Sequence, residues 1–330
     1  MIIDFLLLML GIGLLLGGGD TLVRGASALA SGLGISSLVI GLTIVAFGTS
    51  APELAVNVSA AINGNGALSF GNIIGSNIAN IGLILGISAM MKPLEIRSIV
   101  ISREIPMMLV ATMAVIIMGT DRILSDTADS YDRSDGMLLL LLFCIFFYYT
   151  VGDVLRGRSA DPFLQEAGQI PRAASLKSIG FKLILTLTGL TALVCGGKIT
   201  IESAVNVAHA LNIPQVAVGL TMVAIGTSLP ELVTSGIATW RGETDLAIGN
   251  VVGSNIFNLL LVQGATSVIG PIPMPDAGHL DLAVMAFLSV SLLPLSITCR
   301  RKINRTGGIF LVIFYFGYTM FRFVQMNHFI

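Results

Sequence analysis

The 330-residue sequence predicts an all-α membrane protein, with ten transmembrane helices arranged as two inverted five-helix repeats. Three observations carry that prediction. Hydrophobic residues make up 54% of the chain and charged residues only 11%, against roughly a quarter charged in soluble domains, and the mean hydropathy is +0.90. Apolar stretches longer than the roughly 20 residues needed to cross a bilayer recur from end to end, which suits helices rather than the short alternating strands of an outer-membrane barrel. One 46-residue stretch also occurs twice, an odd number of spans apart.

The first span, 3–31, has no basic n-region and runs on without a small-residue cleavage site, so it is expected to stay rather than leave as a signal peptide. Span two, 37–63, holds a proline and a carboxylate, Pro52 and Glu53, in "AFGTSAPELA", and span three, 67–91, carries "GNIIGSNIAN". Spans four and five, 104–120 and 136–155, flank a loop with Asp121, Asp126, Asp129, Asp132 and Asp135, expected to be a solvated turn. A cytoplasmic linker, 156–176, divides an N-terminal unit, 1–155, from a C-terminal unit, 177–330. Spans six to ten follow at 177–208, 214–240, 245–270, 280–298 and 307–325.

Lys and Arg gather on alternate loops, at Lys92, Arg97 and Arg103, at Arg156, Arg158, Arg172 and Lys177, at Arg241, and at Arg300, Arg301, Lys302 and Arg305. The positive-inside rule then puts those loops in the cytoplasm and the N-terminus outside. A net charge of −1 with dispersed basic residues gives no nucleic-acid stripe. Cys144, Cys195 and Cys299 are isolated, so neither a disulfide framework nor a CxxC metal site is expected.

Residues 41–86 align without a gap to 219–264 at an offset of 178, with 23 of 46 positions identical. Shared lipid-facing composition explains matched Leu or Ile, but not matched Thr49/Thr227, Ser50/Ser228, Pro52/Pro230, Glu53/Glu231, Asn72/Asn250, Ser76/Ser254, Asn77/Asn255 and Asn80/Asn258. Five spans separate the copies, so the second enters the membrane from the opposite side, the inverted repeat of alternating-access transporters.

Pro52 and Pro230 should break their helices and free carbonyls near Ala46 to Gly48 and Ala224 to Gly226. Such groups are tolerated at membrane depth only in a protein-lined cavity. Glu53 and Glu231 are costly facing lipid, so they should share that cavity. Their charge balances one Ca²⁺, or two Na⁺ with a neutral site for one more. The remaining donors are the hydroxyls of Thr49, Ser50, Ser76, Thr227, Ser228 and Ser254 and the amide oxygens of Asn80 and Asn258. All are hard oxygens, suited to Ca²⁺ and Na⁺ and not to Zn²⁺ or Cu⁺. His209, His279 and His328 form no HExxH. The same offset pairs Asp20 with Lys198 and Arg24 with Glu202; these i, i+4 pairs read either as snorkelling charges or as a latch on the two long spans.

The doubled motifs "GTSAPE" with "GNIIGSNIAN" and "GTSLPE" with "GNVVGSNIFN" resemble those of the calcium/cation antiporters, and among them the prokaryotic sodium/calcium exchangers. The resemblance implies a core of spans 2, 3, 7 and 8, with spans 1 and 6 moving across it. It also implies an ion site formed by Thr49, Ser50, Glu53, Ser76 and Asn80 with Thr227, Ser228, Glu231, Ser254 and Asn258, helped by the carbonyls of Ala46 and Ala224. Asparagine at both 80 and 258 departs from the acid used by potassium-dependent members, and Thr-Ser-x-Pro-Glu departs from the calcium/proton pattern. The expected function is therefore K⁺-independent exchange of Na⁺ for Ca²⁺, with Ca²⁺ exported across a prokaryotic inner membrane. The alternatives are proton- or other divalent-coupled exchange on the same fold, or a cation channel. No enzymatic activity, cofactor, nucleic acid or obligate protein partner is expected; Ca²⁺ and Na⁺ are cargo.

Overall fold

A computed structural model describes residues 2–121, 128–155, 176–210, 226–298 and 301–327. Nearly all of the expected linker, the first part of the seventh span, Ala224 and Cys299 lie outside these residues. The described chain is helical almost throughout, because backbone groups in hydrocarbon must satisfy each other within a segment. In order the helices are α1 (Ile2–Leu33), α2 (Ser37–Ile40), α3 (Ala46–Thr49), α4 (Ala51–Ile62), α5 (Gly66–Ala79), α6 (Gly86–Met91) and α7 (Ile105–Met118). They continue with α8 (Arg133–Leu155), α9 (Leu176–Ala210), α10 (Leu229–Arg241), α11 (Thr244–Ile256), α12 (Gln263–Ile269), α13 (Gly278–Thr298) and α14 (Arg305–Asn327). Among the described residues eight continuous stretches are long and apolar enough to span a bilayer, and α2–α3 with α4 make a ninth, bent by 41°. Of the seventh expected span the described residues include α10, its second part.

Among the described residues four π-helical turns interrupt the helices, at Gly41–Val45, Asn80–Leu85, Val100–Glu104 and Phe257–Val262. The second fuses α5 to α6 and the fourth fuses α11 to α12, and these are the two most buried of the eight continuous spans among the described residues. Around them α8, α13 and α14 turn Leu138, Leu141, Phe287, Ile313 and Phe316 outward, toward lipid.

Two antiparallel ribbons staple the loops: β1 (Leu94–Glu95) with β4 (Lys302–Ile303), and β2 (Ser130–Tyr131) with β3 (Ile272–Pro273). β1 and β3 stand 178 residues apart, so the ribbons are repeat mates at opposite ends of the bundle. Glu95 and Lys302 pair at 2.5 Å across the first, and this ammonium holds the Glu95 carboxyl below its usual range. At the second ribbon Asp129 accepts from Met274 N–H and meets His279 at 2.9 Å.

α1 and α9 pack along each other as a layer, and one apolar cluster joins their Leu15, Leu22, Ala26 and Leu193 to Ile40, Ala238 and Leu246 of the helices beneath. Glycines let their backbones meet. A Cβ at Gly18 would lie 2.7 Å from Leu193 N, one at Gly25 2.7 Å from Thr186 N, and one at Gly196 2.7 Å from Leu15 N. Close approach over small residues is how membrane helices gain packing energy without a hydrophobic driving force.

Candidate ion-binding site

The two proline motifs break their helices at equivalent residues. Ser50 (φ −84°, ψ 2°) and Ser228 (φ −89°, ψ 6°) leave helical geometry, and α4 and α10 restart after them with Pro52 and Pro230 in the first turn. Proline is tolerated there because its missing N–H would have had no intrahelical partner. Glu53 and Glu231 fall in the same first turns, at the positive ends of the helix dipoles. Both are buried.

The breaks converge. Ser50 Oγ donates to Glu231 Oε1 at 3.2 Å and Ser254 Oγ to the same oxygen at 3.4 Å, so the carboxylate of one half is bonded by the hydroxyls of both. Thr49 Oγ1 donates to Asn250 Oδ1 at 3.1 Å, and Asn72 Nδ2 donates to Thr227 Oγ1 at 3.3 Å, so the two mate asparagines hold the broken helix of the opposite half. Behind them, Asn57 Nδ2 donates to Asn72 Oδ1 at 2.9 Å and Asn250 Nδ2 to Ser235 Oγ at 3.0 Å. Asn57 and Ser235 are repeat mates that the sequence did not single out; each is visible only as a polar residue one turn after its glutamate. Asn255, a matched residue outside the expected ligand set, accepts at Oδ1 from Asn80 Nδ2 at 3.0 Å, which leaves Asn80 Oδ1 turned elsewhere.

Buried polar atoms ordinarily find partners. Among the described residues 16 buried side-chain N and O atoms have none, and eight of them belong to the expected ligand set. They are both oxygens of Glu53, Oε2 of Glu231, Oγ of Ser76 and Ser228, Oδ1 of Asn80, and both amide atoms of Asn258. Each such atom costs about 1–3 kcal/mol if nothing meets it. A group of carboxylate, hydroxyl and amide oxygens lacking donors fits a hard cation. Among the described residues no three of His, Cys, Asp and Glu come together, so a soft metal has no cluster to bind. The Ala46 carbonyl accepts Ser50 N–H at 3.0 Å and, over a long 3.4 Å, the Thr49 hydroxyl.

A cavity of about 610 Å³ leads to this region, walled by Ala55 and Val56 of α4, by Asn63 just past its end and by Lys198 and Ile201 of α9, with Thr227 and Pro230 also lining it. At the other end the repeat mates of these walls are packed together. A Cβ at Gly197, beside the cavity, would find Pro230 no nearer than 3.7 Å, whereas one at its mate Gly19 would meet Ile237 at 2.8 Å and Val233 at 2.9 Å.

A hard-oxygen site at the meeting of two broken membrane helices, with a cavity on one side and its mate packed shut on the other, defines a membrane cation transporter. Comparison with known proteins gives the family: the profile "Sodium/calcium exchanger protein" matches residues 3–152 and 181–324, and the chain belongs to that family. CaxA of Alkalimonas amylolytica is 37% identical over 322 residues, covering 96% of this chain and 98% of its own. The sodium/calcium exchanger MaX1 of Methanosarcina acetivorans is 33% identical over 341 residues (96% and 97% covered). The inner membrane protein YrbG of Escherichia coli is 33% identical over 315 residues (93% and 92% covered). Among solved structures, the sodium-calcium exchanger NCX_Mj soaked with 10 mM Na⁺ and zero Ca²⁺ superposes with a TM-score of 0.83 at 30% identity, covering 96% of this chain and 97% of that one.

Proposed function

We propose that this chain is a secondary active antiporter that exports Ca²⁺ in exchange for Na⁺ by alternating access, without K⁺. The observation that carries this reading is the set of unpartnered oxygens where the two broken helices meet. Glu53 and Glu231, with Thr49, Ser50, Ser76, Asn80, Thr227, Ser228, Ser254 and Asn258 and the carbonyls of Ala46 and Ala224, make up the ligand set. Two fixed charges balance one Ca²⁺ or two Na⁺, and the neutral oxygens take a third Na⁺. The empty carboxylates repel each other in a medium of low dielectric, so the full complement of either ion favours crossing over the bare site. Asparagine at 80 and 258 supplies no third charge to draw K⁺.

The glycine-packed α1–α9 layer is the moving part in this reading, sliding over the core to exchange the open and packed ends. The packed end gathers Lys92, Arg97, Arg241 and Lys302, and the loops of the cavity end carry Asp121, Asp129 and Asp132. The positive-inside rule then turns the cavity and the N-terminus outward. Resemblance to prokaryotic membrane proteins, YrbG among them, supports the cytoplasmic membrane of a prokaryote.

The test is ⁴⁵Ca²⁺ uptake into proteoliposomes loaded with Na⁺, compared with K⁺-loaded and pH-jumped vesicles, for wild type and Glu53→Gln. Uptake that needs the outward Na⁺ gradient and is lost in the variant is the expected result. Uptake driven by a proton gradient alone, or flux with no counter-ion requirement, refutes sodium coupling.

A further inference from the structure

The two ends of the passage are sealed with different chemistry. At the packed end Arg241, in the last turn of α10, donates Nε to Asp20 Oδ1 of α1 at 2.6 Å, and its Nη2 reaches the same oxygen. Arg24 Nε lies 2.9 Å from Asp20 Oδ2. The carboxylate is thus gripped from both sides, with Asp20 30% and Arg241 28% exposed. Asp20 belongs to the α1–α9 layer and Arg241 to the core, so their contact crosses the boundary along which the layer would slide.

The repeat mates of these three residues are Lys198, Glu202 and Asn63. Among the described residues Lys198 reaches only Glu202, on its own helix, at 3.8 Å, and it is 75% exposed. Asn63 folds back on α4, donating Nδ2 to the Ser59 carbonyl at 2.8 Å. Lys198 and Asn63 both line the open cavity. Were the layer to close that end as it closes the other, Lys198 would meet an uncharged amide. An ion pair is available to one closed state and has no counterpart in the other. Snorkelling does not account for this arrangement, because a snorkelling arginine turns toward the headgroups, whereas Arg241 turns to a carboxylate on the neighbouring layer.

We propose that Asp20 and Arg241 form a latch on the packed gate, with Arg24 positioning the carboxylate. The latch favours the state open at the Asn63 end, and cargo binding must outweigh it before the Arg241 end can open. This inference rests on the alternating-access reading and deepens it by naming which gate is locked and by which residues.

Two reporters test it in a background with Cys144, Cys195 and Cys299 replaced by alanine. Ala55→Cys lines the open cavity, and Val233→Cys, at its repeat mate, is packed against Gly19. Rates of maleimide labelling are measured on each reporter in nanodiscs, in K⁺ buffer with chelator. Arg241→Asn is expected to lower the ratio of the Ala55→Cys rate to the Val233→Cys rate about fivefold, the ratio that corresponds to roughly 1 kcal/mol. Asp20→Asn should move it the same way, leaving Arg24 and Arg241 facing each other, and serves as the test if Arg241→Asn does not fold. Arg241→Lys should keep most of the wild-type ratio. Asn63→Glu, which gives Lys198 a partner at the other gate, should also lower it. An unchanged ratio in Arg241→Asn and Asp20→Asn, while Ca²⁺ still alters labelling of both reporters, overturns the latch. Reporters that respond to neither Ca²⁺ nor Na⁺ in the otherwise wild-type protein overturn the alternating-access reading beneath it.

Discussion

Asn250→Ala is expected to loosen the ion site without emptying it. Asn250 is fully buried; it accepts from Thr49 at 3.1 Å and donates to Ser235 at 3.0 Å. In membrane proteins such side-chain bonds average about 0.6 kcal/mol and reach about 1.7. Losing two, together with some packing, should cost about 1–3 kcal/mol of stability. Thr49 would lose its bond to Asn250 and keep its long one to the Ala46 carbonyl, at 3.4 Å. If half of the loss is felt at the site, half-saturating Ca²⁺ rises by about two- to tenfold, at 1.4 kcal/mol per factor of ten. Asn72→Ala should behave alike, since Asn72 links Thr227 and Asn57 at 3.3 and 2.9 Å. The assay pairs thermal unfolding of purified protein with the concentration dependence of ⁴⁵Ca²⁺ uptake. Half-saturation raised more than about 100-fold with an unchanged melting temperature would make Asn250 an ion ligand and refute the reasoning.

Gly18→Ala drives a Cβ to 2.7 Å from Leu193 N and 2.9 Å from the Gly189 carbonyl, and should cost about 1–3 kcal/mol by overpacking; Gly13→Ala, with nothing within 4 Å, should be neutral or slightly stabilising in the same melts. Asn258→Asp adds a third charge to a site whose amide atoms have no partner, so Ca²⁺ should bind at least about tenfold more tightly and leave more slowly, as equilibrium binding and turnover would show. Lys302 depresses the Glu95 carboxyl, so the contribution of that pair is present above the ordinary carboxylate value and is lost as pH falls through the lowered one. Glu95→Gln should therefore cost less than about 1 kcal/mol near neutrality, and nothing in strong acid, in a pH series of unfolding midpoints.

The parts of the site legible in the sequence are those that hydrocarbon makes expensive and duplication makes conspicuous. Glu53 with Glu231, Pro52 with Pro230, and the hydroxyls beside them stand out because composition cannot place them twice at one offset. What the repeat comparison passes over is whatever differs between the copies. Asn57 and Ser235 perform matching tasks behind Asn72 and Asn250 with different side chains, so identity does not mark them. Arg241 looks like an ordinary positive-inside charge, and its mate Asn63 carries none. The π turns at Asn80–Leu85 and Phe257–Val262 have no local signal, since one extra residue per turn is stabilised by tertiary contacts rather than by propensity. The ribbons β1–β4 and β2–β3 are two residues wide, too short for any alternation to show.

The duplicated sequence appears in two conformations within one molecule. Ser50 and Ser254 bond Glu231, while among the described residues their mates Ser228 and Ser76 and both oxygens of Glu53 find no partner. Gly19 is packed where Gly197 is open. Interchanging the two arrangements would turn the cavity to the other end with the same kinds of contacts, which is why an inverted repeat suits exchange. A perfect repeat would also make the two end states mirror images of equal energy. Any preference must then arise where the copies diverge at the moving boundary, and Asp20 with Lys198 and Arg241 with Asn63 diverge there in charge. The sequence differences that hide these residues from a repeat comparison are thus the ones able to bias the transport cycle.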